Sequence, residues 1–367
     1  MQKKLIALAV AGLASSAAFA QTNVTIYGSV DYGYSYRWDD TTAADKNGQS
    51  AFDGGIAQGN RLGFKGTEDL GNGLKAVFLV EQGLGLDSNS NNEGSNGKSN
   101  AGNKSINYTR QAYVGLSGGF GTLVGGRLYT PHYTLWSSTI DPFGAGTVGR
   151  YANAMGGALA GDVVRVDNAV AYISPSFGGF SVTAAYSNNL EGQESAIQNG
   201  DDTKIYALLG KFVAGGLDLG LNYHYGKFEG LTAVDNTYNV TLGGNYNFGF
   251  MKLHGAVAFN ETEFQNTAND NLEIYNYFIG ATIPFGKVDL KASYLFSDAD
   301  QQGEAQQFAV GVNYNLSKRT DIYAAYSWLD QDDDRILGLA SSGGVGDGSN
   351  SGLGYGQGAQ VGVRHKF

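Results

Sequence analysis

Apolar and polar residues alternate with period two along most of this chain. In VDLKASYLF, Val288, Leu290, Ala292, Tyr294 and Phe296 share one face, and Asp289, Lys291, Ser293 and Leu295 the other. YNVTLGGNYNF sets Tyr238, Val240, Leu242, Tyr246 and Phe248 against Asn239, Thr241, Asn245 and Asn247. FAVGVNYNL repeats the pattern with Phe308, Val310, Val312, Tyr314 and Leu316 on its apolar side. Such segments are β-strands with one apolar and one wet face. Tight turns such as DLGNG (69–73), SGGFG (117–121), IPFGK (283–287) and LSKRT (316–320) join some of them. Long polar loops, at 88–100, 188–202 and 331–352, join the others. The pattern yields sixteen segments, starting near residues 24, 57, 74, 105, 122, 163, 179, 203, 217, 237, 251, 273, 288, 305, 320 and 355. An even strand count, with short turns on one side and long loops on the other, predicts an all-β fold: a sixteen-stranded antiparallel transmembrane β-barrel.

The ends of the chain fit closure. VGVRHKF alternates to its last residue, with His365 the one polar intruder on the apolar face, and VTIYGSVDYGYSY alternates near the other end. An unpaired strand edge in lipid leaves backbone groups that cost several kcal/mol each, so the last strand must pair with the first.

Composition narrows the reading further. The 56 Gly, 23 Tyr and 19 Phe against 4 Pro favour strands and turns over helices. With no Cys in the chain, disulfides, thiolate metal sites and cysteine nucleophiles are excluded. Residues 1–20 have a basic start at Lys3 and Lys4, an apolar run from Leu5 to Leu13, and Ala18 and Ala20 around a phenylalanine. That is the layout of a secretory signal, whose removal leaves residues 21–367 as one barrel domain. Beyond it no apolar run reaches the eighteen or so residues of a membrane helix, so a membrane would be crossed by strands.

The net charge of −10 becomes more acidic once Lys3 and Lys4 are lost. The acids concentrate in long loops, as Asp39, Asp40, Asp201, Asp202 and Asp332–Asp334, more than a Debye length of about 8 Å from a lumen centre, so net charge does not set the field there. An acidic chain has no nucleic-acid partner to offer.

Catalytic chemistry finds little support. The histidines are His132, His224, His254 and His365, and neither a Gly-x-Ser-x-Gly elbow nor a His-Glu-x-x-His pair accompanies them. The acid run Asp332–Asp334 lacks the Gly and Glu spacing of a calcium loop. The expectation is no enzyme, no cofactor and no metal; a barrel enzyme, an adhesin or a soluble all-β binding protein are the alternatives.

Alternation also assigns charged side chains to the lumen. Arg61 and Lys65 point inward because Leu62 and Phe64 must face lipid, and Lys75 does so because Leu74, Ala76 and Phe78 form the apolar face. In RQAYVGL both faces could pass for apolar, which leaves Arg110 open on pattern alone.

These segments carry a resemblance. VTIYGSVDYG, NRLGFKGTEDLGNGLKAVF (60–78), RQAYVGLSGGFGTLVGGR (110–127), RVDNAVAYISPSFGGFSVTAAY (165–186) and the terminal VGVRHKF, in this order, resemble the Gram-negative general porins over residues 21–367. The resemblance implies a homotrimer of sixteen-stranded barrels, set in outer-membrane lipid and lipopolysaccharide, that passes small hydrophilic solutes and ions by passive diffusion. It makes Phe367 a signal read by the barrel assembly machinery. It folds the segment between Arg127 and Val163 into the lumen as a constriction loop. Asp141-Pro142-Phe143-Gly144 is similar to the loop motif of the family, although here the acid precedes the proline and no second acid follows closely. It sets Arg110 inward, and places Arg127 and Arg165 beside the loop. Arg61, Arg110, Arg127 and Arg165 against Asp141 imply weak to moderate anion selectivity, held low by Ser29, where some relatives carry a lysine, and by Asp141 and Asp162 beside Arg150. The alternative is a substrate-specific channel for an anionic solute.

Overall fold

The computed structural model describes residues 23–40, 48–86, 110–144, 146–155, 163–188, 203–228, 234–265, 271–332, 337 and 355–367. The expected signal segment 1–20, the loop at 88–100, most of the loops at 188–202 and 331–352, and Asp162, Asp201, Asp202, Asp333 and Asp334 lie outside the described residues, as do the side chains of Asp39 and Asp40. No helix among the described residues is long and apolar enough to cross a membrane, a fact that does not bear on strands.

The alternating segments form β1 (Asn23–Asp40), β2 (Gln49–Gly54), β3 (Arg61–Gly71), β4 (Leu74–Gly83), β5 (Gln111–Gly118), β6 (Gly121–Tyr129), β7 (Arg165–Ile173), β8 (Phe180–Ser187) and β9 (Lys204–Ala214). They continue as β10 (Leu217–Lys227), β11 (Val234–Asn247), β12 (Lys252–Phe264), β13 (Leu272–Phe285), β14 (Val288–Ala299), β15 (Gly303–Asn315), β16 (Thr320–Gln331) and β17 (Tyr355–Lys366). All belong to one antiparallel sheet. β2 and β3 lie end to end along β1: Tyr32–Arg37 pair with β2, and Asn23–Ser29 with β3. The seventeen segments therefore make sixteen staves, and β17 closes the ring on β1 from Ser29↔Lys366 to Asp40↔Tyr355. The short β2 is the segment that the pattern did not predict; it is a piece of the second stave cut off by an excursion at residues 55–60.

The faces follow the alternation. Val24, Ile26, Val114, Leu221, Val257, Ile279, Leu290 and Val361 point outward and are exposed on the isolated chain. A continuous apolar belt of this kind on a water-soluble surface would associate or aggregate; in hydrocarbon it is at home. Near the tight turns the belt ends in Phe120, Phe177, Phe212, Phe248, Phe250 and Phe285. Toward the other rim Tyr186, Tyr206, Tyr225 and Tyr238 form a row across β8 to β11, with ring centroids 5.0, 5.9 and 5.1 Å apart. These are the two aromatic girdles of a spanning barrel.

The core lies inside the ring rather than between layers. Its largest cluster joins Leu135, Trp136, Ile140, Phe143, Val148 and Tyr151 to Leu209, Ala256, Phe278 and Ala309 on the inner wall. The segment between β6 and β7 has entered the lumen.

Candidate functional site

Two excursions from the sheet meet inside the barrel. The first is the break between β2 and β3. Inward-facing Asp31 organises it: its Oδ2 accepts from the backbone N–H groups of Ala57 (2.9 Å) and Gln58 (2.8 Å), and its Oδ1 from the Tyr323 hydroxyl (2.6 Å). The Asp31 N–H donates to Asn60 Oδ1 at 2.6 Å, and the Gly55 N–H to the Asp31 carbonyl at 2.8 Å. Gly55, at φ 74°, occupies the left-handed region that makes the departure from the strand possible. Gln58 and Gly59 are thus presented to the lumen.

The second excursion follows β6. Thr130 caps a short helix, α1 (Pro131–Leu135), by accepting from Tyr133 N–H at 3.1 Å, and its hydroxyl donates to the Val163 carbonyl at 2.6 Å. A wider turn over Trp136–Ile140 continues it. Its apolar side chains sit in slots left by wall glycines. A Cβ on Gly220 would lie 2.4 Å from Leu135, one on Gly243 2.5 Å from Ile140, and one on Gly311 2.7 Å from Phe143. Trp136 stacks on Tyr151 at 4.4 Å and meets Phe278 edge-on at 5.7 Å. Polar ties complete the docking: Asn245 Nδ2 donates to the Thr139 carbonyl (2.7 Å), Val148 N–H to Gln360 Oε1 (2.7 Å), and Thr147 N–H to the Ile56 carbonyl (2.7 Å). The last bond joins the two excursions. His132 is fully buried beside His224, and both facts push its imidazole down to about 3, so it serves the loop as a neutral group.

Between the excursions is a cleft of about 240 Å³, lined on the wall side by Gln58, Arg61, Arg110 and Tyr129 and on the loop side by Tyr133, Ser137 and Ser138. Arg110 Nε pairs with Glu81 at 2.7 Å and its Nη2 donates to the Tyr129 hydroxyl at 2.6 Å. Arg61 Nη1 is 3.7 Å from the same Glu81, and Tyr27 donates to that carboxylate at 2.8 Å. The Arg165 guanidinium lies over the Tyr129 ring, 5.0 Å from its centroid. Two arginines sharing one glutamate give the cleft wall a net positive charge.

The remaining sequence-selected residues divide. Lys65 is inward, 5.2 Å over the Tyr27 ring. Lys75 is inward too, but six residues below Glu81 along β4, about 20 Å at strand rise, so it stands at the tight-turn mouth. Arg127 is not brought into the cleft. The register sets it opposite Ala112, on the outward side of Val114, and it pairs with Asp167 at 2.5 Å. Regular alternation puts it there: Val124 and Leu128 line the inner side of β6, so Arg127 between them falls on the outer side, and only the β6–β7 register shifts beside it. Asp141 does not face the arginines either: its carboxylate accepts from Phe143 N–H (2.8 Å) and Tyr151 N–H (3.2 Å) and is buried within the loop. Phe143 is buried against the wall, with Lys291 Nζ 5.9 Å from its ring. Phe367 exchanges 3.1 Å backbone hydrogen bonds with Gly28 on the outer face.

Comparison with known proteins matches this architecture. A model of the Gram-negative porin family covers residues 7–334. The outer membrane porin protein 32 of Delftia acidovorans is 35% identical, with all of both chains aligned. The chain belongs to the Gram-negative porin family. The anion-selective porin from Comamonas acidovorans superposes with a TM-score of 0.78 at 29% identity, over 95% of this chain and 100% of that one. The trimer form of OmpT from Vibrio cholerae shares the fold, with a TM-score of 0.65 at 14% identity over 94% and 99% of the two chains. The protein is therefore an outer-membrane porin with a sixteen-stranded barrel, and the narrowed lumen is its channel.

Several residues that build this porin's channel escaped selection from sequence. Glu81 was within reach, because alternation places it inward beside Arg61 once β3 and β4 are paired. Asp31 stood on the wet side of the first strand in the same way. Tyr129, Ser137 and Ser138 had no such signal, since the end of β6 and the loop follow no period.

Proposed function

We propose that this porin passes small hydrophilic solutes and ions by passive diffusion, with a weak to moderate preference for anions, through the cleft between Arg61, Arg110 and the loop. The single observation that carries the reading is the charge imbalance lining the cleft: Arg61 and Arg110 stand against the one carboxylate of Glu81, while the facing loop offers the hydroxyls of Ser137 and Ser138. The similarity to the anion-selective porin from Comamonas acidovorans supports it. One net charge about 10 Å from an ion in a watery passage contributes roughly 0.4 kcal/mol, close to a factor of two. Because one such charge favours the anion and disfavours the cation alike, a single net charge biases the choice between them by about fourfold, and salt weakens the bias. Lys65 and Lys75 extend the same sign toward the tight-turn mouth, and Phe143 holds the loop to the wall. Arg127 and Asp141 act elsewhere, as an outward ion pair and a loop brace.

The working unit is read as a homotrimer in lipid and lipopolysaccharide, in keeping with the trimer form of the similarly folded OmpT. Phe367 is read as the feature recognised by the assembly machinery. Passage runs down a gradient, so the reading assigns no catalytic residue, cofactor or metal. Reversal potentials in a potassium chloride gradient test it. Wild type should favour chloride, and Arg61→Ala with Arg110→Ala should move the potential toward zero. A cation-preferring wild type, or no shift in the double variant, would refute the reading.

A further inference from the structure

A water-filled barrel puts polar side chains on its inner face. One sector does the opposite. Cross-strand registers align Val77, Gly115, Val124, Ala171, Ala185 and Ala207 in a single row over β4 to β9, all inward. The next row toward the tight turns adds Ile173, which is 41% exposed. Leu128 and α1 roof this sector, and beneath them is a pocket of about 360 Å³ whose walls are mainly Val, Leu, Ile, Ala and Pro131. Apolar wall left facing water is unfavourable, and an apolar solute group placed there recovers that cost. The outward face of the same strands is apolar as well, which is why alternation in RQAYVGL was ambiguous.

The pocket adjoins the arginine cleft. Tyr129 and Thr134 line both. We infer that the channel holds a binding site for amphipathic organic anions, with the carboxylate at Arg61 and Arg110 and a ring or short hydrocarbon chain in the apolar pocket below α1. The inference rests on the cleft being the passage for anions. Volume and charge both select this class. An apolar cavity of about 150 Å³ accommodates benzene, so this one takes a ring with a short side chain. The polar groups converge at one end only, the usual arrangement of a small-molecule site, with an apolar body and a few orienting charges. A neutral hydrocarbon would forgo the arginines, and a small inorganic anion would forgo the pocket. A ring with one carboxylate uses both.

The probe is phenylacetate, compared with acetate and benzyl alcohol, as blockers of chloride current through single channels of the full protein in planar bilayers. Phenylacetate should half-block at a concentration at least about tenfold below acetate, and benzyl alcohol should block weakly. Ala171→Leu, which fills the pocket, and Ile173→Asn, which wets it, should each bring the ratio of the phenylacetate and acetate half-block concentrations close to one. Taking the ratio within one channel removes any change in conductance, and two variants guard against one that misfolds. Equal block by phenylacetate and acetate in the wild type, or a ratio unmoved in both variants, would overturn the site. Benzyl alcohol as potent as phenylacetate would overturn the role of the arginines. The reversal potential of the same wild-type channels separates the two failures: chloride preference with equal block rejects this inference alone, whereas loss of chloride preference rejects the proposed function.

Discussion

Glu81 is the residue on which the electrostatics of the cleft turn. Its carboxylate binds Arg110 at 2.7 Å, stands 3.7 Å from Arg61 and accepts from Tyr27, so it both fixes the arginines and cancels one of them. Two guanidinium groups on one carboxylate leave the cleft wall with a net positive charge. Glu81→Gln keeps the shape and removes the cancelling charge. The chloride-to-potassium permeability ratio should rise by up to about fourfold, because one charge at roughly 10 Å in water acts on the two ions with opposite sign, about twofold on each, and salt lessens it. A fall in that ratio would mean that Glu81 matters by holding Arg110 in place rather than by its charge. Asp141 teaches the reverse. A carboxylate in a constriction loop invites an electrostatic role, yet this one is buried in the loop and accepts from two of the loop's own backbone N–H groups. Asp141→Asn should therefore shift the reversal potential less than Glu81→Gln does, measured in the same gradient.

At the scale of elements, the loop is held by fit between large side chains and absent ones. Gly220, Gly243 and Gly311 lie on three different strands, and each leaves the gap that one loop side chain fills. Filling such a gap forces overpacking, which costs about 1–3 kcal/mol when the surroundings can shift and more when they cannot. In Gly243→Val the new side chain would begin 2.5 Å from Ile140 and 2.7 Å from Ala256. The strand cannot retreat without breaking two ladders, so the loop must. Single-channel conductance should rise, and proteoliposomes should admit larger sugars, with removal of residues 141–146 producing a larger change in the same direction. Unchanged conductance in both would place the narrowing elsewhere than at this loop. The β2–β3 break is the complementary element: Asp31 and Tyr323 hold it open, and its Ile56 carbonyl receives the loop tip.

On the scale of the whole molecule, closure depends on the last residue. Phe367 completes the β1–β17 seam with two hydrogen bonds to Gly28, and its ring covers Gly28 so closely that a Cβ there would lie 2.3 Å from it. Deleting Phe367 should lower the yield of outer-membrane protein while leaving conductance per assembled channel unchanged, because its side chain lies on the exposed outer side of the wall and not in the lumen. Gly28→Leu separates the two roles of the ring: it displaces the aromatic from its seat but leaves the terminal phenylalanine to be recognised. If recognition governs assembly, the deletion fails to accumulate and Gly28→Leu accumulates. Equal losses in membrane-fraction immunoblots would assign the effect to packing.

The sequence by itself determined what a period of two can carry. It placed the staves, their faces and the closing ends, since a side chain that alternates wrongly would put charge in lipid. The same rule sets Arg61, Lys65 and Lys75 on one side of β3 and β4, opposite the lipid-facing side chains. Tertiary structure decided whatever depends on chain segments without a period. Which way Asp141 turns is set by two N–H groups nearby in the folded loop. Arg127 faces outward because the β5–β6 register, set by strand pairing, puts its neighbours Gly126 and Leu128 on the inner side. The pairing of Glu81 with Arg110, 29 residues away, waits on β4 meeting β5, and the bond from Thr147 to Ile56 on the loop meeting the β2–β3 break inside the barrel. Alternation is local and leaves its trace in any short window, whereas the cleft is made where distant windows meet.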